Sequence, residues 1–332
     1  MAKDIKQLIL KSGIPLEVSV MNKLKKFNFD DYGEISYERE GKIFSTDIHL
    51  ANNYQFSKDL SIHFNFIIEC KYKTQNHKWF FLEFPEDDYI YGGGRFDCRN
   101  MVFTQLADIC LKDKLKVRQH DKYEPFNPIS QLRIKNIFNL PFVNKGIELY
   151  TEGIEPNAIP EAVSQVSLGA IAAQKGSIEY NFEMFEDYYF ENPEAEDWET
   201  HSIAAVTYPI IITTSKLFKF DSNISLEDIE KTEKIMDLCK EVQGVLLTNT
   251  EYKREEIFIE ELFTKSPIRL SKKTLAVLEK NKMGVISSLD SLKLMSPGYI
   301  YVINYEYLTE LFDYAVLEIE KFCNSLKEEL EK

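Results

Sequence analysis

Asp47, Glu69 and Lys71 have the side-chain types and the spacing of a hydrolytic site. Asp47 lies in the segment STDIHL, and the other two stand near the end of the apolar segment FIIECKYK. Residues i and i+2 of a β-strand point to the same face, so we expect Glu69 and Lys71 to project together and Cys70 to point away. If Asp47 lies on an adjacent antiparallel strand, two carboxylates and one ammonium group converge on one spot.

This convergence favours metal-dependent hydrolysis. Two carboxylates with nearby oxygen atoms make a site for Mg²⁺ or Mn²⁺. A lysine beside such a site can orient or deprotonate a water molecule and can stabilise developing negative charge. These are the groups that hydrolysis of a phosphodiester requires. The alternative interpretation is a cross-strand charge network on the surface of the sheet.

The same residues carry a family resemblance. Asp47, followed by Glu69-Cys70-Lys71, resembles the D…(D/E)xK signature of the PD-(D/E)xK nuclease superfamily, also called restriction-endonuclease-like. Thr46 stands where that signature often has a proline, but the proline is absent from many members of the superfamily.

The segments around the signature resemble the start of the superfamily's core. The segment GIPLEVSVMNKLKKFNF predicts an amphipathic helix that carries Glu17, and members of the superfamily often have a helical glutamate near the metal. Strand patterns follow at Glu34–Arg39, Ile43–Leu50 and Phe64–Lys73. The resemblance covers roughly residues 10–85.

The resemblance implies a fold and a set of roles. The fold is an α/β restriction-endonuclease-like core with a central mixed β-sheet flanked by helices. Asp47 and Glu69, with the main-chain carbonyl of Cys70, would bind Mg²⁺ or Mn²⁺. Lys71 would position or activate the attacking water, and Glu17 would act as a further catalytic residue near the metal.

The implied activity is that of a Mg²⁺-dependent endonuclease, with DNA as the favoured substrate and a role in restriction or anti-phage defence. An RNA-acting nuclease is an alternative that the sequence does not separate from it. A further alternative is a catalytically silent nuclease fold used as a binding or assembly module, which the acidic second half and the long C-terminal helix favour. The intact set of Asp47, Glu69 and Lys71 argues against that module, because decayed sites usually lose a ligand or the lysine.

Charge is distributed unevenly along the chain. The net charge is −14, yet residues 1–150 carry 22 basic and 20 acidic residues, whereas residues 151–332 carry 18 basic and 34 acidic ones. The near-neutral first half could bind nucleic acid through local basic runs, and we assign Lys73 and Lys78 to that contact, with solvated surface as the alternative. The acidic half is a candidate contact for a protein partner, and cleavage of both strands of a duplex would favour a homodimer.

Composition restricts the class of protein further. A hydrophobic fraction of 44% in 332 residues is that of a folded chain with a sizeable core. The five cysteines are scattered without a CxxC pair. The sequence shows no secretory leader and no apolar run of about 18 residues. We therefore expect a protein of the reducing cytoplasm without a membrane segment.

The remaining patterns complete the predicted architecture. A nuclease core is expected over residues 1–250 with an insertion at about 85–200, followed by an α/β extension over residues 251–332 that ends in a long helix. Within these limits the patterns predict a polar loop at Ala51–Asp59, a helix at Pro156–Gly176, an acidic loop at Asn181–Thr200, one strand at Ala204–Phe220, a helix at Ser225–Val242, a strand at Tyr299–Asn304 and a helix at Tyr305–Leu330.

Two finer placements follow from the same patterns. Alternation along the second strand puts Ile43, Ser45, Asp47 and His49 on one face. Gln165, in the helix rich in small residues, loosely resembles a polar helical residue that some superfamily members carry. We interpret Gln165 as a surface or helix-contact residue, and His49 as structural or exposed.

Overall fold

The computed structural model describes residues 5–57, 60–83, 101–102, 136–151, 153–186, 202–249, 252–265, 271–273, 276 and 297–330. In these ranges the chain forms two mixed β-sheets flanked by helices, so the predicted α/β class with a mixed sheet is confirmed. The finer assignment to a restriction-endonuclease-like core stays a prediction. Much of the predicted insertion, at 84–100, 103–135 and 187–201, lies outside the described residues.

Helices and strands are interleaved along the chain. The main helices are α1 (Ile5–Lys11), α2 (Ile14–Leu24), α3 (Ala158–Glu186), α4 (Leu226–Lys231), α5 (Tyr252–Lys265) and α6 (Leu308–Leu330). The strands are β1 (Asp30–Arg39), β2 (Lys42–Ser57), β3 (Leu60–Lys71), β4 (Lys78–Leu82), β5 (Met101–Val102), β6 (Phe142–Val143), β7 (Lys145–Tyr150), β8 (Gly153–Glu155), β9 (Ser202–Thr213), β10 (Lys216–Phe220), β11 (Cys239–Val242), β12 (Gly244–Thr248) and β13 (Tyr299–Asn304). Within the described ranges, no helix combines the length and the apolarity needed to cross a membrane.

The larger sheet has the strand order β1-β2-β3-β9-β13-β12-β6, with β5 also paired to β9. β1, β2 and β3 are antiparallel neighbours, whereas β3 and β9 run parallel from the pair Leu60 and Ser202 to the pair Lys71 and Thr213. β9 also pairs in parallel with β13. The sheet therefore combines strands from both sides of residue 250.

Helices α2 and α6 cover one face of this sheet. Leu16, Val20 and Leu24 recur every four residues along α2, so they form one stripe, and all three are buried. They share a core with β3 and α6, in which the ring centroids of Phe66 and Phe312 lie 5.5 Å apart. The predicted amphipathic helix and its apolar face are thus confirmed.

Helix α3 covers the opposite face of the same sheet. Ala162 and Val166 of α3 pack in one cluster with Ile67 of β3 and Ile211 of β9. Because β3 and β9 are buried on both faces, their sequences are nearly continuous in apolar residues instead of alternating.

The smaller sheet has the order β11-β10-β4-β7-β8 and shares an apolar cluster with α3 and the larger sheet. Alternate residues of β4 divide between two clusters: Trp79 and Phe81 join the α3 core, and Phe80 stacks on Phe218 in a separate cluster. This arrangement accounts for the aromatic density of the segment KWFFL.

The predicted single strand at Ala204–Phe220 is wrong, because the segment contributes β9 to the larger sheet and β10 to the smaller one. The chain turns between them at Thr214. Its hydroxyl accepts a hydrogen bond from Lys73 N and donates one to Lys73 O, both at 2.7 Å. The side chain thereby satisfies the main chain where the sheet pairing stops.

Three other predicted boundaries are also wrong. The predicted loop at Ala51–Asp59 is largely strand, since β2 continues to Ser57 in pairing with β3. Helix α3 continues to Glu186, into the predicted acidic loop. The predicted helix from Ser225 is confirmed only for one short helix with a capping box formed with Asp228, after which a 3-10 turn and β11 follow.

Strand β2 contains an irregularity at Asp47. Gly33 of β1 pairs with His49 of β2, and the next pair is Ile35 with Thr46. Two residues of β1 therefore match three of β2 in this interval. Thr46 lies against α3, whereas Ile48 packs in the opposite core. Strict alternation is therefore broken between Thr46 and Ile48, and the prediction that Ser45, Asp47 and His49 all share one face is wrong. Such bulges re-aim side chains beside functional sites.

Gly169 of α3 makes a close contact with β2 that can be tested. A Cβ atom at Gly169 would lie 2.1 Å from Thr46 Cγ2, far inside van der Waals distance. We expect Gly169→Ala to lower the free energy of unfolding by about 1–3 kcal/mol, because the added methyl group forces the helix away from the sheet. Urea denaturation measures the change.

Two more variants separate this clash from helix propensity. Thr46→Ser removes the Cγ2 methyl group, so adding it to Gly169→Ala should recover most of the lost stability. Gly176 lies on the same helix with no atom within 4 Å of an added Cβ. Gly176→Ala should raise the free energy of unfolding by up to about 1 kcal/mol. Equal effects of the two glycine substitutions would contradict the close contact.

Candidate active site

Asp47 is fixed beside the end of β3 by a main-chain hydrogen bond. The N–H of Cys70 donates to Asp47 Oδ2 at 2.6 Å. This bond links the bulged part of β2 to the residue between Glu69 and Lys71. The Cys70 thiol itself is buried in the opposite core, and burial raises its pKa well above the usual range.

Lys71 joins β3 to helix α3. Its Nζ donates to Glu69 Oε1 at 2.7 Å and to Gln165 Oε1 at 2.6 Å. Glu69 is only 3% exposed, whereas the Lys71 side chain keeps 24% of its surface. The carboxylate is therefore buried, whereas part of the Lys71 side chain is accessible to solvent.

Negative charge is concentrated around this lysine. Burial raises the pKa of Glu69 to about 7; Lys71 offsets part of that rise, and Asp47 and Glu17 add to it. Burial also raises the pKa of Asp47, against its main-chain hydrogen bond and Lys71, with a contribution from Glu34. The pKa of Glu17 is raised by burial and then by Asp47 and Glu34. A cation bound among these carboxylates would relieve their mutual repulsion.

The donor set fits a metal ion held by few protein ligands. Glu69 Oε2 is buried without a hydrogen-bond partner, which is unfavourable unless a cation satisfies it. Among the described residues, no three His, Cys, Asp or Glu side chains form a group that could hold a metal ion. Mg²⁺ commonly takes only one or two carboxylates and keeps waters and substrate oxygens as its other ligands. Asp47 and Glu69 provide two such carboxylates.

The two lysines predicted to contact nucleic acid have partners on the smaller sheet. Lys73 Nζ lies 2.9 Å from Oε2 of the fully buried Glu148, on the smaller sheet. Lys78 Nζ lies over the ring of Phe218, 5.9 Å from its centroid. Both lysines are thus engaged at the smaller sheet. His49 Nε2 lies 3.0 Å from Asn65 Oδ1, a structural contact within the larger sheet.

Three residues near the site were not predicted from the sequence to belong to it. Gln165, interpreted as a surface or helix-contact residue, touches Lys71 directly. Glu34 acts electrostatically on Asp47 and Glu17. Tyr37 OH lies 3.4 Å from the main-chain oxygen of Gln165. Of the three, only Gln165 had a feature in the sequence that pointed to the site, namely its position in a helix that follows the strand with Lys71.

No protein-family model, curated protein or solved structure matches the chain. An assignment of function therefore depends on the chemistry of this site.

Glu69 predicts a pH dependence of stability in the metal-free protein. Its folded-state pKa of about 7 lies above the unperturbed value of 4.5, so in this window the folded state holds a proton that the unfolded state releases. The stabilisation is complete below pH 4.5 and is lost as the pH rises through 7. We expect a loss of about 1–3 kcal/mol in the free energy of unfolding, which Glu69→Gln should remove.

Urea denaturation in EDTA across this pH window measures the loss. Glu230, an exposed glutamate of α4, provides the matched control. Glu230→Gln should give a stability curve parallel to that of the wild type. If Glu69→Gln also gave a parallel curve, Glu69 would ionise at its ordinary pKa.

Proposed function

We propose that this chain is a metal-dependent nuclease that hydrolyses phosphodiester bonds, with DNA as the expected substrate. The observation that carries the proposal is the meeting of Asp47, Glu69, Lys71 and Gln165, brought together from β2, β3 and α3 by three hydrogen bonds. Two carboxylates, a lysine and a polar residue that holds the lysine are groups that metal-dependent hydrolysis of a phosphodiester can use.

Lys71 is the residue proposed to act on the nucleophile. Two of its three N–H donors are directed to Glu69 and Gln165, so one is left for a water molecule or a phosphate oxygen. In that position the ammonium group orients the attacking water and stabilises negative charge that develops on the phosphate. Gln165 is a positioning residue, because it touches Lys71 and not the reacting atoms.

Asp47, Glu69 and the Cys70 carbonyl are the groups that would hold Mg²⁺ or Mn²⁺. When bound, the ion supplies Lewis-acid activation of a phosphate oxygen and lowers the pKa of coordinated water. The protein contributes two carboxylates held in fixed positions, one by the Cys70 N–H and the other by burial. Glu17 adds negative charge that favours a cation.

The choice of DNA, and a role in restriction or anti-phage defence, rest on the resemblance of the D…ExK spacing to the restriction-endonuclease-like superfamily. The near-neutral first half of the chain is compatible with a polyanionic substrate. Double-strand cleavage would call for two copies of the site, which a homodimer would provide.

A catalytically silent binding module is the second candidate. One observation favours it: within the described ranges, no group of three ligating side chains could hold a metal ion. In such a module the pair of Glu69 and Lys71, 2.7 Å apart, would be a structural ion pair and not part of a catalytic centre.

Cleavage assays distinguish the two candidates. We expect purified protein to cleave DNA in Mg²⁺ or Mn²⁺ and not in EDTA. Lys71→Ala should lower the rate about 10²–10⁴-fold, because the group that activates the nucleophile is lost. Gln165→Ala should lower it less, about tenfold, since Lys71 remains but is held by Glu69 alone.

The wild type and all variants are assayed on the same four substrates: plasmid, linear duplex, single-stranded DNA and RNA. Lys231→Ala removes an exposed lysine of α4 and should leave the rate unchanged. Metal-dependent cleavage that survives Lys71→Ala would contradict the assigned role. No cleavage of any substrate, with no Mn²⁺ binding by calorimetry, would support the silent module.

A further inference from the structure

A cavity of about 300 Å³ lies directly beside the candidate active site. Its lining is drawn from β1, β2, α3 and α5 and includes Tyr37, Arg39, Phe44, Ser164, Gln165 and Arg254. Gln165 belongs to both places, since its Oε1 accepts the hydrogen bond from Lys71. A ligand in the cavity would therefore lie next to the residue proposed to act on the nucleophile.

Tyr37 provides a second connection between the cavity and the site. Its OH lies 3.4 Å from the main-chain oxygen of Gln165. Burial, and then the nearby charge of Glu69, raise the pKa of Tyr37. Two residues of the cavity lining, Tyr37 and Gln165, thus lie beside each other next to the candidate site.

An aromatic surface forms one wall of the cavity. The rings of Tyr37 and Phe44 are stacked at an interplanar angle of 16°, with their centroids 5.9 Å apart. Tyr37 is 5% exposed, whereas Phe44 is 38% exposed. The buried tyrosine therefore fixes the orientation of a phenylalanine ring whose outer surface is accessible for stacking.

The polar groups of the lining suit a nucleotide. Gln165 directs its oxygen to Lys71, so the group it can offer to a ligand is its amide NH₂, and the buried Ser164 adds a hydroxyl. Arg39 and Arg254 place guanidinium groups in the lining together with Glu161, and Arg39 also pairs with the exposed Glu40 at 3.0 Å. Guanidinium groups bind phosphate and stack on bases, and amide and hydroxyl groups pair with base edges.

We propose that this cavity receives one unpaired nucleoside adjacent to the phosphodiester that is cut. The inference rests on the proposed nuclease function and specifies its substrate as single-stranded DNA or a nucleotide turned out of a duplex. The volume of the cavity lies at the lower end of the range for small-molecule sites, so the cavity has room for one base but not for a base pair. The base stacks on Phe44, and its edge meets Ser164 and Gln165.

Binding measured in EDTA, where no cleavage occurs, tests the proposal. The probes are a fluorescein-labelled thymidine strand of about eight nucleotides and an abasic strand of equal length, which keeps the phosphates but lacks bases. We expect the wild type to bind the thymidine strand about 5- to 100-fold more tightly than the abasic one, as base stacking on an aromatic side chain predicts. A duplex of the same length should bind more weakly than the thymidine strand.

Variants of neighbouring residues identify the aromatic wall. Phe44→Ala should abolish the preference for the thymidine strand, and Phe44→Trp should keep it. Ile43→Ala alters an adjacent side chain that is 80% exposed, and should leave the preference unchanged. Equal affinity of the wild type for both strands, absence of binding, or a preference that survives Phe44→Ala would overturn the proposal.

The same strands separate this proposal from the nuclease function. Lys71→Ala should lose cleavage in Mg²⁺ but keep the preference for bases in EDTA. If the wild type shows that preference yet cleaves nothing, the nucleoside site stands and the nuclease function fails. If Lys71-dependent cleavage occurs without a preference for bases, the nuclease function stands and the nucleoside site fails.

Discussion

The burial of β3 on both faces is the constraint on which the rest of the structure depends. One face is covered by α2 and α6 and the other by α3, while β2 and β9 pair along its two edges. Pairing with β9 continues to Lys71, so main-chain hydrogen bonds, and not flexible side chains, set the positions of Glu69 and Lys71. Because β3 is buried up to its end, the charged residues at that end lie at the edge of the core.

That position is energetically costly for the protein alone. A carboxylate that is 3% exposed, with one oxygen lacking a hydrogen-bond partner, is poorly solvated even beside a lysine. Burial is the main reason why the pKa values of Glu69, Asp47 and Glu17 all rise, and repulsion from neighbouring acids adds to each rise. Strain of this kind is expected where a fold holds charges for a ligand instead of for its own stability.

The sequence predicted those parts of the fold that have a local signal. The apolar run before Glu69 and the four-residue spacing in α2 are such signals, and both elements are present. The bulge at Asp47 has none within β2, which contains no glycine or proline there, because the shift depends on pairing with β1 at Gly33. The turn at Thr214 was missed since its side chain replaces sheet hydrogen bonds with Lys73, far away in sequence. Gln165 is 94 residues from Lys71, and only the docking of α3 brings them together.

Helix α3 is the element that unites the two halves of the signature. Gln165 touches Lys71 at the end of β3, and Gly169, one turn later on the same helix, touches Thr46, the residue before Asp47. The absence of a side chain at Gly169 lets the helix approach closely enough for Gln165 to reach the lysine. Since α3 packs in one apolar cluster with strands of both sheets, both sheets help to fix its position. The geometry of the candidate site is therefore set by how closely one helix docks, and the D…ExK spacing acquires chemical meaning only when that helix is in place.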